Sequence, residues 1–152
     1  MMLGIGTALA VAATIAALTA RRALVLITVS GGSMSPTYTD GEKLLVRRGG
    51  PRPRAGDVVV VRNPRPAPAR PDVAWMVKRV VALPGDAVPD EIRHSAAVPD
   101  AVVPSGCLLV RGDNMRSLDS RHFGYVPAAD VLGVSVRRRD PPQPSVPAYA
   151  SA

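Results

Sequence analysis

Hydrophobic residues fall along this chain in short runs, separated by clusters of glycine, proline and charge. The longest run, Met1 to Ala20, carries no charged residue; Arg21-Arg22 follows it, and then a second apolar run from Ala23 to Val29. About eighteen to twenty apolar residues wound as a helix cross a bilayer core, so the pattern predicts a membrane anchor, one transmembrane helix, over residues 1–22. A cleavable leader would want a basic stretch before its apolar core, and none is present.

Beyond Arg22 the apolar runs are too short for helices and rich in valine, which favours strands. Strands are expected over Ala23 to Ser30, Glu42 to Arg48, Val58 to Val61, Ala74 to Leu83, Cys107 to Arg111 and Val131 to Val136. Turn signals punctuate them at Asp40-Gly41, Gly49 to Ala55 and Pro84-Gly85-Asp86. Residues 63–72 are Pro-rich and read as an irregular loop. Residues 87–106, with several prolines and His94, read as a short variable insert with no assigned structure. Residues 140–152, with four prolines, read as a disordered tail. With no clear soluble helix, the expected fold is one all-β antiparallel domain over residues 23–139.

Composition narrows the function classes. The net charge of +7 comes from 19 basic and 12 acidic residues among 152. No zinc-ligand spacing, RNA-binding aromatic signature or helix-turn-helix pattern accompanies it, so nucleic acid is not an expected partner. The abundance of Arg, Ala, Pro and Val fits a GC-rich coding bias. Cys107 is the single cysteine, inside an apolar strand, and reads as a buried small hydrophobe. No His, Cys and carboxylate cluster has metal spacing, so neither metal nor cofactor is expected.

Lysine is rare here: only Lys43 and Lys78 occur, and every other side-chain cation at neutral pH is arginine. Lysine can lose its proton when desolvated, whereas arginine cannot. Lys78 lies in the apolar strand Trp75 to Val81, and alternation puts Met76, Lys78 and Val80 on one face. That face can desolvate an amine into a general base. A nucleophile for such a base is offered by Ser33, in the bend Ser30-Gly31-Gly32-Ser33-Met34-Ser35-Pro36-Thr37. The polar loop from Gly112 to Gly124 gathers acids, arginines and serines that could buttress a site.

Ser33-Met34-x-Pro36-Thr37, Gly56-Asp57-Val58-Val59, Lys78-Arg79-Val80-Val81-x-x-Pro84-Gly85-Asp86 and Gly112-Asp113-Asn114…Ser117-x-Asp119-Ser120-Arg121-x-x-Gly124 succeed one another in that order. This succession resembles the signature blocks of bacterial type I signal peptidases, membrane-anchored serine endopeptidases with a Ser/Lys dyad. The resemblance implies an all-β signal-peptidase-like catalytic domain with Ser33 as nucleophile and Lys78 as general base. It implies that Ser117 orients the lysine amine, and that Asp119 and Arg121, with Arg79, form an ion-paired scaffold. The Ser33 backbone would contribute to the oxyanion hole. Gly31 stands where one subgroup has a hydroxyl donor. Met34 and Pro36 are expected to contact substrate.

The implied substrates are exported preproteins with small residues at −1 and −3, cut at a cell membrane by a single-pass enzyme, expected as a monomer, whose catalytic domain is extracytoplasmic. Arg21-Arg22 runs against that orientation by the positive-inside rule. The loop from Asn114 to Ser117 is one residue shorter than the family pattern. Two other peptidase readings stay open: a dedicated processing peptidase for one exported peptide or metalloprotein precursor, and a self-cleaving repressor-type peptidase.

Overall fold

A computed structural model describes residue 14 and residues 23–64, 74–95 and 97–137. The expected anchor over residues 1–22, Thr14 apart, and the tail over residues 140–152 lie outside the described residues. Among the described residues no helix is long and apolar enough to cross a membrane.

The chain forms β1 (Leu24–Thr28), β2 (Lys43–Arg48), β3 (Val58–Arg62), β4 (Trp75–Ala82), α1 (Asp90–Arg93), β5 (Cys107–Arg111), α2 (Ser120–Phe123), β6 (Val126–Pro127) and β7 (Val131–Ser135). The strands make one sheet in the order β1-β2-β7-β3-β4-β5-β6, with every pairing antiparallel. The last strand is therefore inserted between β2 and β3, which ties the two ends of the domain together. Register shifts at Val60/Val61 and Val80/Ala82 mark bulges, which bend strands and increase twist.

Alternation decides what is buried. On β2, Leu44 and Val46 are buried while Lys43, Leu45 and Arg47 are exposed. β3 is buried throughout Val58 to Val61, as its unbroken valine run requires, and its two faces feed different cores. Val58 and Val60 join Val29, Met34, Tyr38 and Leu44 in a first cluster. Val59 and Val61 join Val80, Leu108 and Val110 in a second.

Two expectations are corrected. The insert over residues 87–106, left without structure, builds a third cluster: Val88, Ile92, Val98 and Val103 pack on Ala82 and Leu109. Its apolar residues are spaced by turns rather than by a helix or strand period, so no pattern announced them. The absence of helices is corrected by α1 and α2, four residues each and too short to leave an amphipathic signature. The two-residue strand β6 was also unforeseen, and Pro127 in it sits on the edge of the sheet, where a missing N–H is tolerated.

Ile92 is completely buried at the centre of the third cluster. Ile92→Ala is expected to destabilise the domain by about 2–4 kcal/mol, read as a lowered thermal midpoint. A change within experimental error would mean that the insert does not share the core.

Candidate active site

β1 delivers the chain into the bend that presents Ser33. Gly31 has φ +82°, a left-handed conformation that strains any residue with a side chain, and its N–H donates to Asp40 Oδ1 at 2.8 Å. The left-handed backbone at position 31 thus suits glycine rather than a residue with a hydroxyl side chain. Behind the bend, Tyr38 N–H donates to the Met34 carbonyl at 2.9 Å, and Ser35 N–H to the Gly32 carbonyl at 3.1 Å. The Ser35–Pro36 peptide is cis. Met34, expected to touch substrate, is fully buried in the first core cluster and supports the bend from beneath. Pro36 is exposed beside it. Neither residue lines the groove that Ser33 opens into.

That groove has a volume of about 470 Å³. Ile27, Val29, Val60 and Val77 give it apolar walls, and Ser33 and Lys78 both line it. Lys78 pairs with Val59 across the sheet, and Met76 and Val80 on either side of it pack into the second cluster, as the alternation predicts. The residue is only 2% exposed. Its Nζ donates to Ser117 Oγ at 2.7 Å. Burial pulls the Lys78 pKa down from 10.5 to about 8; the Asp119 charge works against that pull and the Arg121 charge adds to it.

Ser117 reaches the amine because Gly112 lets three segments meet. A Cβ on Gly112 would collide with the Ser117 side chain and with the Ser33 carbonyl oxygen. Asn114 then fastens the serine bend: its backbone N–H donates to the Ser33 carbonyl at 3.1 Å and its Nδ2 to the Gly32 carbonyl at 3.0 Å. The shortened loop between Asn114 and Ser117 closes as a turn, with Ser117 N–H on the Asn114 carbonyl at 3.0 Å. Ser117 Oγ is thereby held within hydrogen-bond reach of the Lys78 amine.

The ion-paired scaffold divides in two. Asp119, with no exposed surface, is gripped by Arg121 through Nε at 2.9 Å and Nη2 at 2.8 Å, and accepts the Gly112 N–H at 3.0 Å. Burial alone would raise its pKa, but the Arg121 side chain and the Gly112 and Arg121 N–H groups outweigh it and hold the carboxyl below its usual range. Asp119 also caps α2 in a reciprocal box with His122. Arg79 belongs to neither residue. It pairs with Asp113 through Nε at 2.8 Å and Nη2 at 2.6 Å, while Nη1 donates to the Gly56 carbonyl at 2.8 Å.

Asp113 and Asn114 are the site residues that sequence reasoning did not single out. Both lie inside the Gly112 block, and the signal that could have found Asp113 was the need of a buried Arg79 for a carboxylate. Among the described residues no three His, Cys, Asp or Glu side chains gather to hold a metal ion. Ser33 lines the same groove as a desolvated amine of lowered basicity, a combination that can serve nucleophilic attack on a carbonyl.

A sequence model of the family described as "Signal peptidase, peptidase S26" matches residues 2–93 and 89–138. The mitochondrial ATP-independent inner membrane protease subunit 1a of Arabidopsis thaliana is 40% identical over 92 residues, covering 58% of this chain and 51% of that protein. Signal peptidase I of Leptolyngbya laminosa is 32% identical over 130 residues, covering 70% and 64%. A crystal structure of a signal peptidase I from Enterococcus faecalis V583 aligns with TM-score 0.43 and 25% identity, over 55% of this chain and 97% of that one. The chain spans 51% and 62% of the length of two Arabidopsis relatives that it matches.

A lysine whose pKa falls on folding binds fewer protons folded than unfolded, so its charged form opposes folding below about pH 8 and the opposition fades as pH rises towards 10.5. Lys78→Met is therefore expected to be more stable than the parent at pH 7, by roughly 2–3 kcal/mol before the lost Ser117 bond is counted. The gap should narrow as the parent is melted at increasing pH. A parent whose stability is flat from pH 7 to pH 10.5 would show that Lys78 is not desolvated.

Proposed function

The chain belongs to the signal peptidase family, peptidase S26, and from that membership we propose that it is a membrane-anchored serine endopeptidase that removes signal peptides from exported preproteins. The observation that carries this reading is the buried Lys78 amine, bonded to Ser117 at 2.7 Å in the groove that Ser33 lines.

In the proposed mechanism the neutral Lys78 amine takes the proton of Ser33 Oγ as that oxygen attacks the scissile carbonyl. The oxyanion that forms is met by the Ser33 backbone N–H. Collapse of this intermediate breaks the peptide bond, Lys78 returns its proton to the leaving amine, and an acyl-enzyme remains. Lys78 then draws a proton from water, the hydroxide attacks the ester, and Ser33 recovers its proton as the acid is released. Ser117 acts through Lys78, by fixing the direction of its lone pair. The apolar groove favours small residues at −1 and −3 of an extended substrate. Residues 1–22 hold the domain at a membrane, with the groove on the extracytoplasmic side where signal sequences emerge.

The test uses the detergent-solubilised full chain and a secretory preprotein with Ala-x-Ala before its junction. Cleavage at that junction by the parent, and none by Ser33→Ala, is the expected result. A folded parent that cuts no such preprotein would exclude general signal-peptide removal and favour a dedicated processing peptidase.

Because the base must be neutral, kcat/KM should rise with pH through a midpoint near 8. Ser117→Ala should lower kcat by about 100-fold or more with little change in KM. An acid limb near the pKa of an ordinary lysine would remove desolvation from the mechanism.

A further inference from the structure

The insert over residues 87–106 meets the loop that carries Ser117 through polar contacts as well as through its apolar cluster. Ile92, fully buried, seats α1, and the Ser95 N–H bonds to the Ile92 carbonyl at 2.8 Å. The Ser95 hydroxyl then donates to the Arg121 carbonyl at 2.6 Å and accepts the Ala97 N–H at 3.2 Å. The Ala97 carbonyl oxygen lies 2.6 Å from where a Cβ on Gly124 would stand, so the insert packs closely against the end of α2. Glu91 pairs with Arg111, the residue before Gly112.

These contacts converge on Arg121. Its N–H and its guanidinium grip Asp119, and Nη2 also reaches the Met115 and Ser117 carbonyls at 3.3 and 3.5 Å. A helix leaves its last carbonyls without intrahelical partners. In α2 the Asp119 carbonyl takes the His122 and Phe123 N–H groups, and the Ser120 carbonyl takes the Gly124 N–H. The next carbonyl, that of Arg121, falls to Ser95. One residue earlier, Ser120 Oγ accepts the Val110 N–H of β5 at 2.9 Å. The helix is thus tied to the sheet at Ser120 and to the insert at Arg121, and the hydrogen-bonded tie to the insert is the Ser95 hydroxyl.

We propose that Ser95 is a positioning residue of the active site: its hydroxyl fixes the Arg121 backbone, so that the guanidinium stays on Asp119 and the Ser117 loop stays against Lys78. Ser95 touches no reacting atom and acts through Arg121. That side chain is 20% exposed, so once its backbone is released the guanidinium can exchange Asp119 for water. The charges that act on the Lys78 amine are Asp119 and Arg121, in opposite senses. Its other neighbours are Val59 on β3 and Met76 and Val80 on β4, while Arg79, next on β4, is paired with Asp113. Withdrawal of Arg121 leaves the attraction of Asp119 less opposed, and Lys78 then keeps its proton to higher pH. The consequence for turnover rests on the peptidase reading above, whereas the hold on Arg121 can be measured without cleavage.

The experiment compares the detergent-solubilised full chain with Ser95→Ala, Ser95→Thr and Val88→Ala, each assayed well below its thermal midpoint. Val88 lies in the same third cluster and is 1% exposed, so Val88→Ala loosens the insert while keeping the hydroxyl. On a preprotein with Ala-x-Ala before its junction, Ser95→Ala should lower kcat about fivefold, with KM within about twofold of the parent. The acid limb of its kcat/KM profile should move to higher pH than the parent's. Ser95→Thr keeps the donor and should restore both, and Val88→Ala should shift neither. The Arg121 Nε–H signal, assigned in a proton–nitrogen correlation spectrum by its loss in Arg121→Lys, should exchange with solvent about tenfold faster in Ser95→Ala alone. Unchanged exchange in Ser95→Ala would overturn the proposal. Faster exchange with kcat and the acid limb unmoved would also overturn it, by showing a hold that turnover does not use. Val88→Ala matching Ser95→Ala in every readout would overturn it by reducing Ser95 to a part of the core. A parent that cuts no preprotein would remove the peptidase reading, and the exchange rates would still decide whether Ser95 holds Arg121.

Discussion

An amine on a central strand, almost without access to water, must be held by something other than a carboxylate if it is to give up its proton near neutral pH. Lys78 is held by the Ser117 hydroxyl. A carboxylate at that distance would raise the pKa of the amine and keep it charged, whereas a hydroxyl directs it and leaves its charge open to titration. The rest of the loop can be understood from this choice. Asp119 is near enough to be felt by Lys78, but its two oxygens are occupied by Arg121 and the Gly112 N–H.

Two ion pairs flank Gly112, and they do different work. Arg121–Asp119 fixes the loop that carries Ser117, and Arg121 also reaches the Met115 carbonyl at 3.3 Å. Arg79–Asp113 is nearly sealed from water and links β4, the turn before β3 and the start of the loop. Removing one partner of such a pair leaves an uncompensated buried charge, which is far costlier than the pair itself is stabilising. These pairs are better read as devices of registration than as sources of stability.

The sequence made six strands legible because their valine and leucine runs are bounded by glycine and proline turns. Val58 to Val61 announced its own burial, since a strand covered on both faces needs no polar alternation. Ser33, Lys78 and Ser117 could be named because their neighbours follow a family order, and because lysine is so scarce here. What stayed hidden depends on chain segments meeting across the fold. Asn114 bonds to Gly32 over 82 positions, and no local pattern encodes that. Met34 looks like a groove residue by its place beside the serine, but the turn at Ser33 directs it inward. The third core cluster escaped notice because its apolar residues come from irregular backbone, where neither period applies.

β1 is five residues long and joins the end of the apolar N-terminal stretch to the bend that presents Ser33. At about 3.3 Å per residue it is a ruler of roughly 17 Å. Removing two residues would keep every side chain on its own face and shorten the ruler by about 7 Å. Removing one would exchange the faces, sending the outward leucines into the core and the groove wall into solvent. Length along β1 is therefore quantised in pairs, and the distance from Leu24 to the bend at Ser33 can change only in those steps.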